Sequence, residues 1–265
     1  MQFSKIEWIL QSNCFGAEQT DLINAVVKKD NQEVILGIPD SIDHHNFRVI
    51  RGSTEFVSAY NNFFGEYDPF CITCNFDNYI CSRYYQKIHH NDLLNSYCVW
   101  VPWGYLNTDL FELFQTDRLF IRPDVGYKVF TGTTIGRKWF SKELEVIKGL
   151  PSTSGLTDNT MVLVSTCKKI IREARFLMGP TGLIDGSWYN EEGNNLQLKT
   201  LGDFASRAGR HYDDFYTVDV ADTVEYGPQI VEVNSFSSAG LYDMHAPTVV
   251  DAITKYIVES TKDED

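Results

Sequence analysis

Two apolar, strand-like runs near the C-terminal end of the chain, joined by one short turn, place the tightest limit on its fold. The first run carries Asp219, and the second carries Glu232 and Asn234. Between them, residues 225–228 (Glu-Tyr-Gly-Pro) supply the residue types that form turns. Side chains alternate between the faces of a strand, so Glu232 and Asn234 point the same way. The pattern predicts a hairpin in which Asp219 lies beside them if the register allows it.

These three side chains form a candidate metal site. Carboxylate and amide oxygens converging on one sheet face suit a hard divalent cation such as Mg2+, which keeps room for substrate phosphates. The alternative is the solvated face of a half-buried sheet, which a Glu-x-Asn on a strand usually marks. The apolar, β-branched neighbours favour a site, as does the following loop 235–240, whose small residues let a ligand approach backbone N–H groups. We therefore predict that Asp219, Glu232 and Asn234 bind metal.

An Asp followed thirteen residues later by Glu-x-Asn resembles the metal-binding signature of the ATP-grasp superfamily. In that family the three side chains hold the Mg2+ ions that bridge the nucleotide phosphates. Residues 231–242 (VEVNSFSSAGLY) are similar to a phage-associated clade whose phosphate-binding strand begins with Arg instead of Lys. The resemblance covers roughly residues 105–258. It implies ATP and Mg2+ as cofactors, and an α/β fold in which two α+β lobes clasp ATP.

Residues 121–132 (IRPDVGYKVFTG) resemble the phosphate strand and covering loop of the family. Arg122 offers a planar fork to phosphate oxygens, and Lys128 offers a mobile point charge. The resemblance implies that both residues bind the nucleotide and assist catalysis. A surface turn explains the local pattern equally well, so its weight comes from its pairing with the downstream triad.

Residues 161–176 resemble the adenine hinge and the strand behind it. The resemblance implies nucleotide contacts for Ser165 and Lys168, and a ribose contact for Glu173. Arg175 shares a strand face with Glu173 and is a candidate for contact with phosphate or with a substrate carboxylate. The alternative is that Glu173 and Arg175 form ordinary ion pairs across an exposed sheet.

One position departs from the family pattern. Many ligases of the superfamily place an Arg two residues before the first metal-binding Asp, where it steadies an acyl phosphate, and Thr217 stands there instead. The sequence does not choose among the possible substitutes, which are Arg172, Arg175, Arg207 and Arg210. The candidates for the acceptor pocket are Ser187, Tyr189, Ser237 and Ser238, with ordinary surface hydroxyls as the alternative.

Composition limits the possible partners. A net charge of −13 argues against a general nucleic-acid binder, because phosphate backbones attract basic surfaces. The chain has no apolar run of transmembrane length and no signal-peptide pattern at its start, so no membrane association is expected. Cytoplasm is the expected compartment, namely host cytoplasm if the protein is phage-encoded. Oligomeric state stays open.

Cys71 and Cys74 have the spacing of zinc ligands, but a second half of such a site is missing. The chain has no second Cys-x-x-Cys, and His89 and His90 are adjacent. We therefore expect reduced, mostly buried thiols.

Alternating strand-like and helical segments predict an open-sheet α/β domain over residues 1–104, followed by the ATP-grasp domain over residues 105–265. In the first domain we predict a strand at 6–10, helices at 17–28 and 75–90, and a helix capped by Ser53 that runs to residue 64. In the second we predict extended structure at 129–131, a helix from Ser141 to Lys148, and helices at 201–208 and 248–258.

The resemblance implies an ATP-dependent carboxylate–amine ligase of the amino-acid or peptide type, acting through an acyl phosphate. Its partners would be a small-molecule, amino-acid or peptide carboxylate and an amine acceptor. No protein nucleophile is needed, which agrees with the lack of a recognisable Ser/His/Asp or Cys/His set in the sequence. A phosphotransferase and a non-catalytic nucleotide-binding protein are the alternatives.

Overall fold

The computed structural model describes residues 4–65, 70–126, 129–150, 155–189, 194–209, 212 and 214–260. The strands are β1 (Ile6–Leu10), β2 (Gln32–Leu36), β3 (Phe47–Arg51), β4 (Cys71–Ile72), β5 (Cys98–Pro102), β6 (Arg118–Pro123), β7 (Thr133–Gly136), β8 (Met161–Thr166), β9 (Ile170–Gly179), β10 (Gly182–Trp188), β11 (Tyr216–Thr223) and β12 (Gly227–Ser235). The helices are α1 (Ala17–Val26), α2 (Thr54–Phe64), α3 (Cys81–Tyr84), α4 (Asp109–Leu113), α5 (Phe140–Lys148), α6 (Asn195–Ala208) and α7 (Ala246–Ser260). No helix within these ranges has both the length and the apolar character needed to cross a bilayer.

The first sheet is parallel, with strand order β2-β1-β3-β4. Every residue of β1 and β3 is buried, as expected for parallel strands covered on both faces. Trp8 packs in one core cluster with Leu22 of α1 and Val249 of α7. Ile9 packs in another with Val57 of α2. The C-terminal helix therefore completes the core of the N-terminal sheet.

The second sheet is antiparallel, with strand order β5-β8-β6-β7. Its buried residues form one cluster with α4 and α5, through Phe111 and Phe140. Strand β5 lies before the predicted domain boundary at residues 104 and 105, yet it pairs with β8. The boundary stays a prediction, and this pairing favours an earlier position for it.

The third sheet is also antiparallel, with strand order β10-β9-β11-β12. Phe176 and Val218 pack against Leu201 and Phe204 of α6. Leu177 belongs instead to the core shared with α1 and α7. The sheet thus has one face against its own helix and another directed toward the rest of the molecule. With the parallel first sheet, this architecture confirms the α/β class.

Some element predictions were wrong. No long helix covers residues 75–90; a 3-10 turn at 76–79 and the one-turn α3 occupy it, because the extended Ile80 (φ −69°, ψ 147°) separates them. Ser82 N donates to Asp124 Oδ1 at 2.9 Å, which holds α3 against the second sheet. Residues 129–131 are not a strand, and pairing begins at Thr133.

Helix ends also differ from the predictions. Helix α5 begins at Phe140 without a side-chain cap, so Ser141 is not its N-cap. Helix α6 begins six residues earlier than predicted, because Asn194 and Gln197 form a capping box. The cap at Ser53 is confirmed, since its side chain accepts from Phe56 N at 3.2 Å.

Candidate active site

The hairpin of β11 and β12 brings the three predicted metal ligands together. Its turn lies at residues 224–226, and the antiparallel register places Asp219 opposite Glu232 and Thr217 opposite Asn234. Directly opposed residues share a sheet face, so the three side chains lie together. Asn234 Nδ2 donates to Glu232 Oε1 at 2.8 Å, which orients the amide. Their role as metal ligands stays a prediction.

Arg175 lies on β9 directly opposite Asp219, on the other side of β11. Its Nε and Nη2 atoms donate to the two Asp219 carboxylate oxygens at 2.6 and 2.7 Å. Nη2 also lies 3.4 Å from Glu232 Oε1. Asp219 is fully buried beneath this guanidinium. The fork-to-fork pair is the strong geometry for an Arg and a carboxylate.

Arg122 approaches the same carboxylate from the second sheet. It follows Ile121 near the end of β6, and its Nη2 donates to Glu232 Oε2. Its Nη1 donates to the Val231 carbonyl at 3.3 Å. Glu232 therefore accepts from Arg122, Arg175 and Asn234, and it joins the second and third sheets at one point.

Burial and these cations set the protonation of the site. Burial alone would raise the pKa of Glu232, but the guanidiniums of Arg122 and Arg175 and hydrogen bonds from its neighbours lower that pKa to about 2. Burial raises the pKa of Asp219, and the Arg175 guanidinium opposes that rise. Burial and the Glu232 charge raise the pKa of Glu173. Glu232 is thus the firmly ionised carboxylate of the site.

A cavity of about 610 Å³ lies between the second and third sheets. Of the predicted site residues, it is lined by Arg122, Lys168, Glu173, Arg175, Glu232 and Asn234. Asp219 lies beneath its wall. Apolar side chains that include Phe120 and Val231 line another part of it. Lys128 lies outside the described residues.

Two predicted nucleotide-binding residues differ in their access to this cavity. Ser165 is fully buried behind the wall, and its hydroxyl donates to Asn95 Oδ1 at 2.8 Å. Asn95 itself lines the cavity, and no local feature of the sequence marks it. Lys168 does line the cavity, and its ammonium donates to the Thr166 carbonyl at 3.1 Å. Burial lowers the pKa of Lys168.

The candidate acceptor residues also separate. Tyr189 and Ser238 line the cavity, whereas Ser187 and Ser237 are buried outside its lining. Sequence reasoning missed Tyr242, whose ring lies edge-on to Tyr189 with 4.9 Å between centroids. The Arg175 guanidinium lies 5.0 Å from the centre of the Tyr242 ring, in the range of a cation–π contact.

Among the four candidate arginines, the described structure places only Arg175 at the triad. Arg172 contacts Gln197 and Asp222 instead. Arg207 lies over the Phe204 ring on α6, and Arg210 is outside the described residues. The substitute for the missing Arg at position 217 therefore stands on the neighbouring strand.

The donor set fits Mg2+ with one condition. The described ranges contain no cluster of three or more His, Cys, Asp and Glu residues, so the site reaches three donors only through the Asn234 amide. Oxygen donors are the ligands that this hard cation prefers. Glu232 and Asn234 fit directly, because the amide oxygen is left when Nδ2 serves Glu232. Asp219 fits when Arg175 releases one of its carboxylate oxygens.

The fold and the site define an ATP-grasp protein. A family of ATP-grasp domains, described as family 2 of its clade, matches residues 106–252. The match covers more than half of the chain, so the chain belongs to that family. No curated sequence relative matches.

Similar solved structures share the architecture. D-alanine–D-alanine ligase from Bacillus anthracis, complexed with ATP, has a TM-score of 0.63 at 12% identity, with 99% of each chain covered. D-cycloserine synthetase DcsG has a TM-score of 0.62 at 11% identity, covering 95% of this chain and 99% of the other. The ATP-grasp ligase PsnB complexed with minimal precursor has a TM-score of 0.59 at 9% identity, covering 96% and 99%. At these identities the likeness shows the fold.

Proposed function

We propose that the protein is an ATP-dependent carboxylate–amine ligase that acts on an amino-acid or peptide substrate through an acyl phosphate. The observation that carries the proposal is the charged sheet face at the cavity, where Asp219, Glu232 and Asn234 meet Arg122 and Arg175. The ligase activities in the names of the structural neighbours support the same class of reaction.

The nucleotide would lie along the part of the cavity shared by the second and third sheets. Apolar Phe120 and Val231 suit an adenine ring, and the carboxylate of Glu173 suits the ribose hydroxyls. Arg122 and Lys168 would neutralise phosphate oxygens. Arg122 is proposed as the cation that replaces the usual Lys at this position of the family.

Asp219, Glu232 and Asn234 would hold Mg2+, which when bound neutralises phosphate charge and favours phosphoryl transfer. In the present arrangement the guanidiniums of Arg122 and Arg175 balance the charge of the two carboxylates. These side chains thus provide an exchangeable set of partners, because either arginine has phosphate oxygens to contact once it leaves a carboxylate.

Arg175 would steady the acyl phosphate. Its position opposite Asp219 brings a planar fork of N–H donors to the border between the metal-binding face and Tyr189. Such a fork matches the oxygens of a phosphoryl group. The edge-on rings of Tyr189 and Tyr242 restrict its movement on the acceptor side.

The reaction then needs positioning more than a protein nucleophile. A substrate carboxylate oxygen attacks the γ-phosphorus, and the bond to the bridging oxygen breaks to release ADP. The amine next attacks the acyl carbon, phosphate leaves with the C–O electron pair, and the nitrogen loses a proton to give the amide. Preorganised cations supply the charge stabilisation for both steps.

The test is to measure ADP release and product formation with panels of amino acids and short peptides as carboxylate and amine. We expect amide product and phosphate only when ATP, Mg2+, a carboxylate and an amine are all present, and hydroxylamine should trap the activated carboxyl group as a hydroxamate. A stable phosphorylated product would indicate a phosphotransferase instead. Nucleotide affinity without turnover across the panels would indicate a non-catalytic binding protein.

A further inference from the structure

We propose that Glu18 and Arg51 form a clamp that positions residues 236–242, here called the site loop, and through this loop the guanidinium of Arg175. The inference rests on the proposed function, because the site loop borders the proposed substrate cavity through Ser238, Gly240 and Tyr242. Both clamp residues belong to the N-terminal sheet layer, so the clamp would couple that layer to the reacting groups.

Arg51 is the last residue of β3, and its side chain is 1% exposed. Its Nη1 donates to the Phe236 carbonyl, and its Nη2 donates to the Ala239 carbonyl at 3.0 Å. Nη2 also lies 2.9 Å from Glu18 Oε1 on α1. The guanidinium therefore holds two carbonyl groups of the site loop while a carboxylate compensates its charge.

Glu18 completes the contact from the other side. Its Oε2 accepts from the backbone N–H groups of Leu241 and Tyr242 at 2.7 and 3.1 Å. A carboxylate that accepts backbone N–H groups makes charge-assisted hydrogen bonds, which are stronger than neutral ones. The two clamp residues together bind two carbonyl groups and two N–H groups of the site loop.

Gly52 adds a backbone contact and explains the close approach. Its N–H donates to the Ser237 carbonyl at 2.9 Å. A Cβ at Gly52 would lie 2.5 Å from the Phe56 ring and 2.8 Å from Gln11 Cβ, so a side chain does not fit there without movement. The turn after β3 is therefore shaped to meet the site loop.

The site loop passes this restraint to the charged face. The Gly240 carbonyl accepts from Arg175 Nη1 at 3.0 Å, and the Tyr242 ring lies 5.0 Å from the same guanidinium. The other nitrogens of Arg175 bind Asp219. If the loop loosens, Nη1 loses its carbonyl and turns toward Glu232, where it competes with a cation.

Burial argues that the clamp serves geometry more than stability. Arg51 has one carboxylate partner, and its removal from water lowers its pKa to about 10 while Glu18 opposes that change. The rings of Phe15 and Phe236 lie 4.8 and 4.4 Å from the guanidinium carbon and take part of the contact with it. Buried ion pairs often contribute little net stability, so their effect on geometry is the quantity to measure.

The experiment compares Arg51→Lys and Glu18→Gln with Arg48→Lys in the full chain. Arg48 is an equally buried arginine on the same strand, and its Nη1 donates to the Asp43 carbonyl, away from the site loop. Hydrogen exchange of residues 236–242, measured by mass spectrometry, reports the clamp directly. We expect exchange at least about tenfold faster in both clamp variants and unchanged in the control, because the loop amides of Leu241 and Tyr242 lose their acceptor geometry.

A second measurement follows the affinity of the ATP analogue AMPPNP as Mg2+ is varied. In Arg51→Lys we expect the Mg2+ concentration for half-maximal effect to rise about tenfold, the size typical of a lost outer contact at a metal site, with Mg2+-free affinity unchanged. Unchanged loop exchange in both variants would overturn the clamp. Faster exchange with an unchanged Mg2+ midpoint, or an equal loss of Mg2+-free affinity, would overturn its positioning role. If the wild type binds no AMPPNP, the proposed function fails, and the exchange result alone decides whether the clamp exists.

Discussion

Two buried arginines serve the two regions of this molecule in different ways. Arg175, on the charged face, is surrounded by two carboxylates and one carbonyl; burial lowers its pKa, but Asp219 outweighs that effect and raises it. Arg51, under the site loop, has one carboxylate and two carbonyls, and burial lowers its pKa to about 10. The difference separates an exchangeable partner from a fixed one. A bound cation competes for the carboxylates of Arg175, whereas no ligand in the cavity competes for the backbone carbonyls held by Arg51.

Asp219→Ala should have the largest effect, on stability. The substitution leaves the buried guanidinium of Arg175 without its bidentate partner, so we expect a loss of about 3–5 kcal/mol of unfolding free energy. Urea denaturation followed by circular dichroism measures it. The matched control is Asp222→Ala on the same strand, whose partner Arg172 lies 3.4 Å away at a partly exposed site, with an expected loss of about 0–1 kcal/mol. Equal losses would contradict the special role given to the charged face.

Glu232→Gln should lower turnover at saturating Mg2+ by at least about a hundredfold, because the firmly ionised ligand of the proposed cation is lost. The amide keeps the size of the side chain, so we expect the folded structure to persist. ADP release measures the effect, and Glu225→Gln in the exposed hairpin turn is the control. Full activity in Glu232→Gln would remove Glu232 from the metal site.

Arg122→Ala should weaken ATP binding by roughly tenfold to a hundredfold, the effect of one charge-assisted contact to phosphate. The control is Arg118→Ala at the exposed start of the same strand. Calorimetric titration with AMPPNP and thermal melting are measured on the same samples. If the melting temperature falls strongly while affinity is kept, Arg122 is a structural bridge to Glu232 and not a nucleotide ligand.

The charged face was more accessible to sequence reasoning than the clamp. Strand alternation and a nearby Gly-Pro turn are local signals, and they predicted that Glu232 and Asn234 share a face. The position of Arg175 opposite Asp219 could not be predicted, because register depends on bulges, and the pairing of β11 shifts register directly after Asp219 on one side and after Asp222 on the other. The sequence therefore identified the residue types but not the partner.

The clamp left no comparable signal. Glu18 and Phe236 are far apart in the chain, and neither the periodicity of α1 nor that of β3 marks a charged contact. The α6 start is a different case, since Asn194 and Gln197 have the spacing of a capping box and that signal was present in the sequence. Long-range contacts set the limit in the first case, and an unread local motif in the second.

A pH series isolates the charge on Glu232. Its pKa is lowered to about 2 from an ordinary 4.5, so its stabilising contribution is complete above pH 4.5 and is lost as the pH falls toward 2. The stability advantage of the wild type over Glu232→Gln should therefore shrink by about 1 kcal/mol between pH 5 and pH 3.5. Urea denaturation at each pH measures it. A constant difference would show that the carboxylate and its arginines do not act as an ion pair.

Chelation should have the smallest effect, because both arginine regions are satisfied by protein groups alone. Arg175 and Arg122 balance the charge of Asp219 and Glu232, and the clamp uses no cation. The described residues also contain no set of three His, Cys, Asp or Glu ligands that would give Cys71 a structural metal. We expect EDTA to leave the melting temperature of the nucleotide-free protein unchanged while it abolishes turnover. Unfolding on chelation would show that a structural metal is present, and the charge balance described for the site would then have to include it.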